Sequence, residues 1–176
     1  DTFGMGYEAG LRYEGQFNNV GVILGTGYSH LELEEELLGA GNATDDQTAW
    51  NVGADFDIGP FGIGAVYVED DLGELDVDGV AGGAKVEESE TWVVGVDYTT
   101  GPFKLGASYY DSESFGGTVA EIETQRYSGG VTYTYGPGMT FRGSIGYIEH
   151  EATGIGGAGS NDVDATYVTL GTQINF

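Results

Sequence analysis

Few residues in this chain have the types and spacings that catalysis or metal chemistry requires. There are two histidines, His30 and His150, and no cysteine, so a disulfide framework and a thiolate metal site are both excluded. No HExxH places paired imidazoles on one helix face, and no GxSxG offers a nucleophile elbow. A triad of Ser144 and His150 with some aspartate has no geometric support in the sequence. The GTG at 25–27 sits inside alternating text rather than ahead of a helix, where a phosphate cradle would need it. Asp76-Val77-Asp78-Gly79 has the spacing of part of a calcium loop, and carboxylate oxygens suit that ion. A lone DxDG is outweighed by ordinary solvated loop charge, so Asp76 and Asp78 raise loop calcium only as a minor reading. No other cofactor and no enzymatic activity are expected.

The charges say more. The chain has 29 acidic side chains against five basic ones and a formal net charge of −24. Such a surface repels nucleic-acid phosphates, so no nucleic-acid partner is expected. Arg12, Lys104, Arg126 and Arg142 share one parity of the alternating segments, while Lys85 falls in a connection. Glu8, Glu14, Asp55, Asp57 and Asp97 fall on the same parity as the four basic residues. Whether these groups form a wall depends on the elements that carry them.

Those elements alternate with period two. At the end of the chain, Thr166, Val168, Leu170, Thr172, Ile174 and Phe176 share one face, with Tyr167, Thr169, Gly171, Gln173 and Asn175 on the other. The same alternation runs from Gly4 to Glu14, with a turn at Gly15–Asn19, then from Val20 to His30. It returns at Thr48–Ile58, from Phe61 to Tyr67, at Glu90–Thr99, from Phe103 to Tyr110, at Ile122–Tyr135 and from Met139 to His150. About nine strands are predicted, joined alternately by short and long connections. Gly59-Pro60, Gly101-Pro102 and Gly136-Pro137-Gly138 mark short turns. The long connections are placed at about 32–46, 69–89, 111–121 and 151–161. Aromatic pairs six residues apart recur on the apolar parity: Tyr7 and Tyr13, Trp50 and Phe56, Trp92 and Tyr98, Tyr127 and Tyr133. At about 3.3 Å per residue each pair is roughly 20 Å apart along its strand, as two aromatic girdles flanking an apolar band require. Phe141 and Phe176 join the same lipid-facing set.

No apolar run is long enough for a membrane-spanning helix, which leaves a strand-built membrane protein open. Loops sorted by length to the two ends of the strands favour an antiparallel transmembrane β-barrel over a soluble sandwich. Parity then gives an expectation about extent. The last strand ends on the short-turn side, so nine strands put the first residue on the long-loop side. Closed single-chain bacterial barrels have an even strand number, so residues 1–176 read as the C-terminal part of a larger barrel. Abundant glycine on the polar parity, such as Gly25, Gly53, Gly95 and Gly130, also suits a wide lumen better than a narrow filled one. A complete barrel of eight or ten strands is the competing count.

Taken together, GYEAGLRYEGQFNNVGVILGTGYSH, the turns in DIGPFGIGAVYVE and YTTGPFKLGASYYD, YTYGPGMTFRGSIGY and the terminal VTLGTQINF resemble the general porins of alphaproteobacteria. The resemblance implies a sixteen-stranded homotrimeric barrel in the bacterial outer membrane, with long loops extracellular and small hydrophilic solutes and ions diffusing through. It also implies a basic wall cluster facing acids across a constriction. That gives Arg12, Lys104, Arg126 and Arg142 a pore-lining role. The plainer account is that a charge on such a strand must avoid lipid and so points inward. The net charge suggests a mild cation preference. The alternatives are a small closed barrel with an anchoring or adhesive role and a secreted soluble β-protein.

Overall fold

The computed structural model describes residues 3–33, 46–76, 85–116, 120–153 and 161–174. The strands are β1 (Phe3–Phe17), β2 (Val20–Leu33), β3 (Gln47–Ile58), β4 (Phe61–Asp76), β5 (Lys85–Thr100), β6 (Phe103–Gly116), β7 (Ala120–Thr134), β8 (Met139–Thr153) and β9 (Asn161–Ile174). They form one antiparallel sheet in chain order, with β1 and β9 as its edges among the described residues. Each strand pairs with the next, so the nine-strand, all-antiparallel expectation holds.

Short turns set the register at one end. Gly59 and Gly101 have φ of 61° and 56°, each followed by proline in a two-residue connection. A positive φ at the first turn residue suits the tight hairpin twist, and only glycine takes it without cost. The prolines are not idle: the carbonyl of Pro60 accepts the N–H of Thr99 at 2.8 Å, and that of Pro102 accepts Thr134 at 2.9 Å. Each turn is thereby tied to the strand beyond its own hairpin. Replacing Gly101 by alanine forces an L residue into the left-handed region, with an expected cost of about 1–2 kcal/mol in urea unfolding of the folded protein. The first turn is tighter than the sequence suggests. It occupies only Asn18 and Asn19, with Asn18 at φ 55°, and 15–17 continue β1.

The other end departs further from expectation. β4 continues to Asp76 and β5 begins at Lys85, so much of the connection placed at 69–89 is paired strand. Lys85 is the first residue of β5, opposite Asp76, rather than a loop residue. β6 and β7 consume most of 111–121 as well, leaving only residues 117–119 between them. Connections on this side are therefore not uniformly long. The cause is chemical. Acidic text reads as loop by composition, yet Asp111-Ser112-Glu113-Ser114 still alternates, and backbone pairing carries on through it. Asp76 thus ends a strand, while Asp78 and the terminal Phe176 lie outside the described residues.

Register fixes two faces. One carries Leu11, Leu24, Phe56, Ile63, Val94, Leu105, Val131, Ile145 and Leu170, which are cross-strand or same-face neighbours. They are not covered: Leu170 is 82% exposed, Leu11 78% and Val168 69%. Among the described residues the only buried apolar side chain is Ala152. A sheet that exposes a continuous apolar face and, among the described residues, seals no core is not arranged for water on that side.

Candidate functional site

The second face is concave. Gly10 and Arg12 of β1 line the same cavity, about 1360 Å³, as Tyr167 and Thr169 of β9, so the sheet curls into a trough. Arg12, Lys104, Arg126 and Arg142 all line it, as do Asp55 and Asp97. Glu8, Glu14 and Asp57 share that face by register, through Glu8↔Ser29, Glu14↔Ile23 and Gly21↔Asp57. Every residue singled out for the pore wall therefore stands on one face of the sheet.

The trough stays open because its longer side chains lie down. Where a Cβ would stand on Gly62, the Asp97 carboxylate comes within 2.5 Å. Asp55 lies over Gly64 at 2.8 Å in the same way, Asn51 over Gly27 at 2.9 Å, and the Tyr167 ring over Gly146. In each case the glycine is the direct cross-strand partner of the side chain it receives. Glycine here is a berth that lets a polar group lie flat against the wall. The sequence shows the glycines but not their partners, which only the register supplies.

Within the trough the charges are partly matched. Arg12 donates to Glu14 at 3.0 Å, and Lys104 meets Asp97 at 3.1 Å. Arg126 stacks over the Tyr110 ring, 5.1 Å from its centre, and Arg142 donates to Gln173 at 3.0 Å. Two hydroxyl pairs, Ser108 with Ser128 at 2.7 Å and Thr91 with Ser112 at 3.0 Å, fill the intervals, and the Thr124 hydroxyl meets the imidazole Nδ1 of His150 at 2.8 Å. Such a wall sets hydrogen-bond donors and acceptors between its small and apolar residues.

The convex face carries two aromatic rows. On the loop side Tyr67 contacts Trp50 and Trp92, with ring centres 5.1 and 4.5 Å apart, and Tyr109 contacts Tyr127 at 4.9 Å. On the turn side Phe61 meets Tyr98 and Phe103 meets Tyr133, both at 4.9 Å, and Tyr13 meets Phe17 at 6.5 Å. Tyr7, Phe56 and Phe141 share this face, with Tyr7 stacked on His30 at 6.3 Å. The rows include residues that the paired-aromatic reading passed over. Phe61 with Tyr67, Phe103 with Tyr109 and Phe141 with Tyr147 keep the same six-residue spacing on the same parity. That spacing, applied to every strand, finds them. Above the loop-side row the tyrosines donate to the next outward side chain: Tyr67 to Glu69 at 2.8 Å, Tyr109 to Asp111 at 2.6 Å and Tyr147 to Glu149 at 3.1 Å. An apolar body with its hydroxyl reaching a carboxylate is the arrangement of an aromatic at a lipid–water boundary.

An apolar band between aromatic rows on one face and a polar trough on the other define a transmembrane-type β-barrel wall. Residues 2–153 match the family described as Gram-negative porin, and the chain belongs to that family. It is accordingly an outer-membrane β-barrel protein. Solved structures of OmpT of Vibrio cholerae share the fold. The outer-membrane-expressed form gives a TM-score of 0.62 at 20% identity over 96% of this chain and 56% of that one. An in-vitro folded form described as a trimer gives 0.60 at 20% identity over 96% and 55%. The chain thus spans little more than half the length of the solved structures it matches. Comparison with curated proteins found no match.

Proposed function

We propose that the concave face is the wall of a water-filled channel through which small hydrophilic solutes and ions diffuse passively across the outer membrane. One observation carries this reading: an exposed apolar convex face and a charged, hydroxyl-rich, glycine-floored concave face belong to the same strands. In this reading Arg12, Lys104, Arg126 and Arg142 are pore-lining cations, and Glu8, Glu14, Asp55, Asp57 and Asp97 pore-lining anions. In the same reading the nine strands are part of a sixteen-stranded barrel, the loop-side connections face outward from the cell, and three copies assemble as in the trimeric Vibrio cholerae structure. The channel works by diffusion without catalysis and without a resident cofactor.

Reconstitution in planar bilayers tests it. Stepwise conductance increments in KCl are the expected result. The folded protein is also expected to require detergent or lipid to stay monodisperse. A water-soluble monodisperse species without conductance would refute the reading. The anchoring alternative predicts detergent dependence with a silent bilayer.

A further inference from the structure

Charge is sorted by face on the last four strands. The described carboxylates of β6–β9 are Asp111, Glu113, Glu121, Glu123, Glu149, Glu151, Asp162 and Asp164, and register puts all of them on the convex face. The concave face of the same strands carries Lys104, Arg126, Arg142 and His150, and among the described residues no acid. The formal charge of −24 therefore describes this part of the solute path with the wrong sign. Lys104 is met by Asp97 from β5. No carboxylate among the described residues pairs with Arg126 or Arg142.

From this sorting we infer that the β6–β9 wall is a docking track for oxyanions, with Arg126 and Arg142 as its binding groups and carboxylate- or phosphate-bearing solutes as its ligands. The inference rests on the channel reading of the concave face and adds a solute class to it. A guanidinium is planar and always charged, and its paired N–H groups match two oxygens of a carboxylate or phosphate. Tyr110 occupies one face of the Arg126 guanidinium, which leaves the edge donors for an arriving anion. Ser128, the next residue of β7 on the concave face, is hydrogen-bonded to Ser108, so hydroxyls stand beside the charge for the remaining oxygens of a hydroxylated acid. Arg142 is steadied by a neutral group as well, donating to the Gln173 side-chain oxygen. Both arginines are exposed to the trough rather than sealed behind it. A site that is exposed and supported by neutral groups binds weakly and releases readily, as conduction requires.

Two measurements separate this inference from the channel reading. In planar bilayers under a KCl gradient, citrate in the bath is expected to reduce the current. Arg126→Gln with Arg142→Gln is expected to lower the chloride-to-potassium permeability ratio and to weaken citrate block by at least about tenfold, the value for a single charge-assisted hydrogen bond where two guanidinium groups are lost. Glu113→Gln with Glu123→Gln, on the convex face, should change neither. Independently of current, citrate or inorganic phosphate should protect Arg126 and Arg142 of the detergent-folded protein from phenylglyoxal, read by mass spectrometry. A conducting pore in which the arginine variant keeps its permeability ratio, or in which citrate neither blocks nor protects, overturns the oxyanion track and leaves the channel standing. Protection without conductance supports the track and overturns the channel.

Discussion

Replacing Ile145 by arginine is expected to cost about 2–4 kcal/mol of folding free energy in a bilayer and to block most insertion. Ile145 is 56% exposed on the convex face, between Gly129 and Val168 on the neighbouring strands. Tyr147 lies two residues above it toward the loop-side row, and Phe141 four residues below, so Ile145 falls inside the apolar band. A guanidinium there must leave water for acyl chains, or thin the bilayer around it. The adjacent Ser144 points into the trough, and Ser144→Arg is expected to fold normally while adding a charge to the wall. The contrast is the informative result. In a water-soluble sheet an exposed isoleucine changed to arginine moves stability by no more than about 0.5 kcal/mol. Equal, small effects of the two substitutions on refolding yield into phosphatidylcholine vesicles would mean that the convex face does not meet lipid.

The parity that separates Ile145 from Ser144 is legible in the sequence because side-chain period in a strand is two and chain-order pairing leaves little freedom in register. Trp50 and Phe56, or Arg126 and Arg142, could therefore be placed on opposite faces before any neighbour was known. What alternation cannot supply is which residue stands opposite which. That Asp55 lies over Gly64, and that Tyr167 covers Gly146, depends on hairpin lengths, the first fixed by Gly59-Pro60 and the second by the connection ahead of β9. The strand ends toward the loops are the least legible part of the fold. Outward carboxylates on β4 to β7 look like solvated connection when composition is weighed, and the backbone pairing that makes them strand has no compositional mark. Net charge is a poor guide to the wall for a related reason: it sums over both faces, and on β6–β9 the two faces carry opposite signs.

Those carboxylates form a row whose removal should stabilise the protein. Register sets Glu69 opposite Glu90, Glu90 opposite Glu113, Glu113 opposite Glu123, Glu123 opposite Glu151, and Glu151 opposite Asp162. Like charges directly across from one another oppose pairing, by roughly 0.2–1 kcal/mol each. Burial, and then the charges of Asp111, Glu123, Glu121 and Glu90, raise the Glu113 carboxyl above its ordinary value of 4.5. Glu113 lies beyond the loop-side aromatic row, two residues past the Asp111 that accepts from Tyr109, and so outside the apolar band. A carboxyl whose folded pKa is raised holds its proton more tightly in the folded state. Its contribution is fully present below the unfolded value and is lost as pH rises through the folded value. Stability is therefore expected to increase as pH falls from neutral toward the ordinary carboxylate range. Changing Glu90, Glu113 and Glu123 together to glutamine should raise the unfolding free energy by about 1–3 kcal/mol at pH 7.5 and flatten the pH dependence. The gain should shrink in high salt, because exposed charges are screened within about 10 Å at 0.1 M ionic strength and more closely as salt rises. A variant no more stable than the parent at low salt and pH 7.5 would mean that the row is already neutralised in the membrane-bound protein, by protons or by counterions held between the strands.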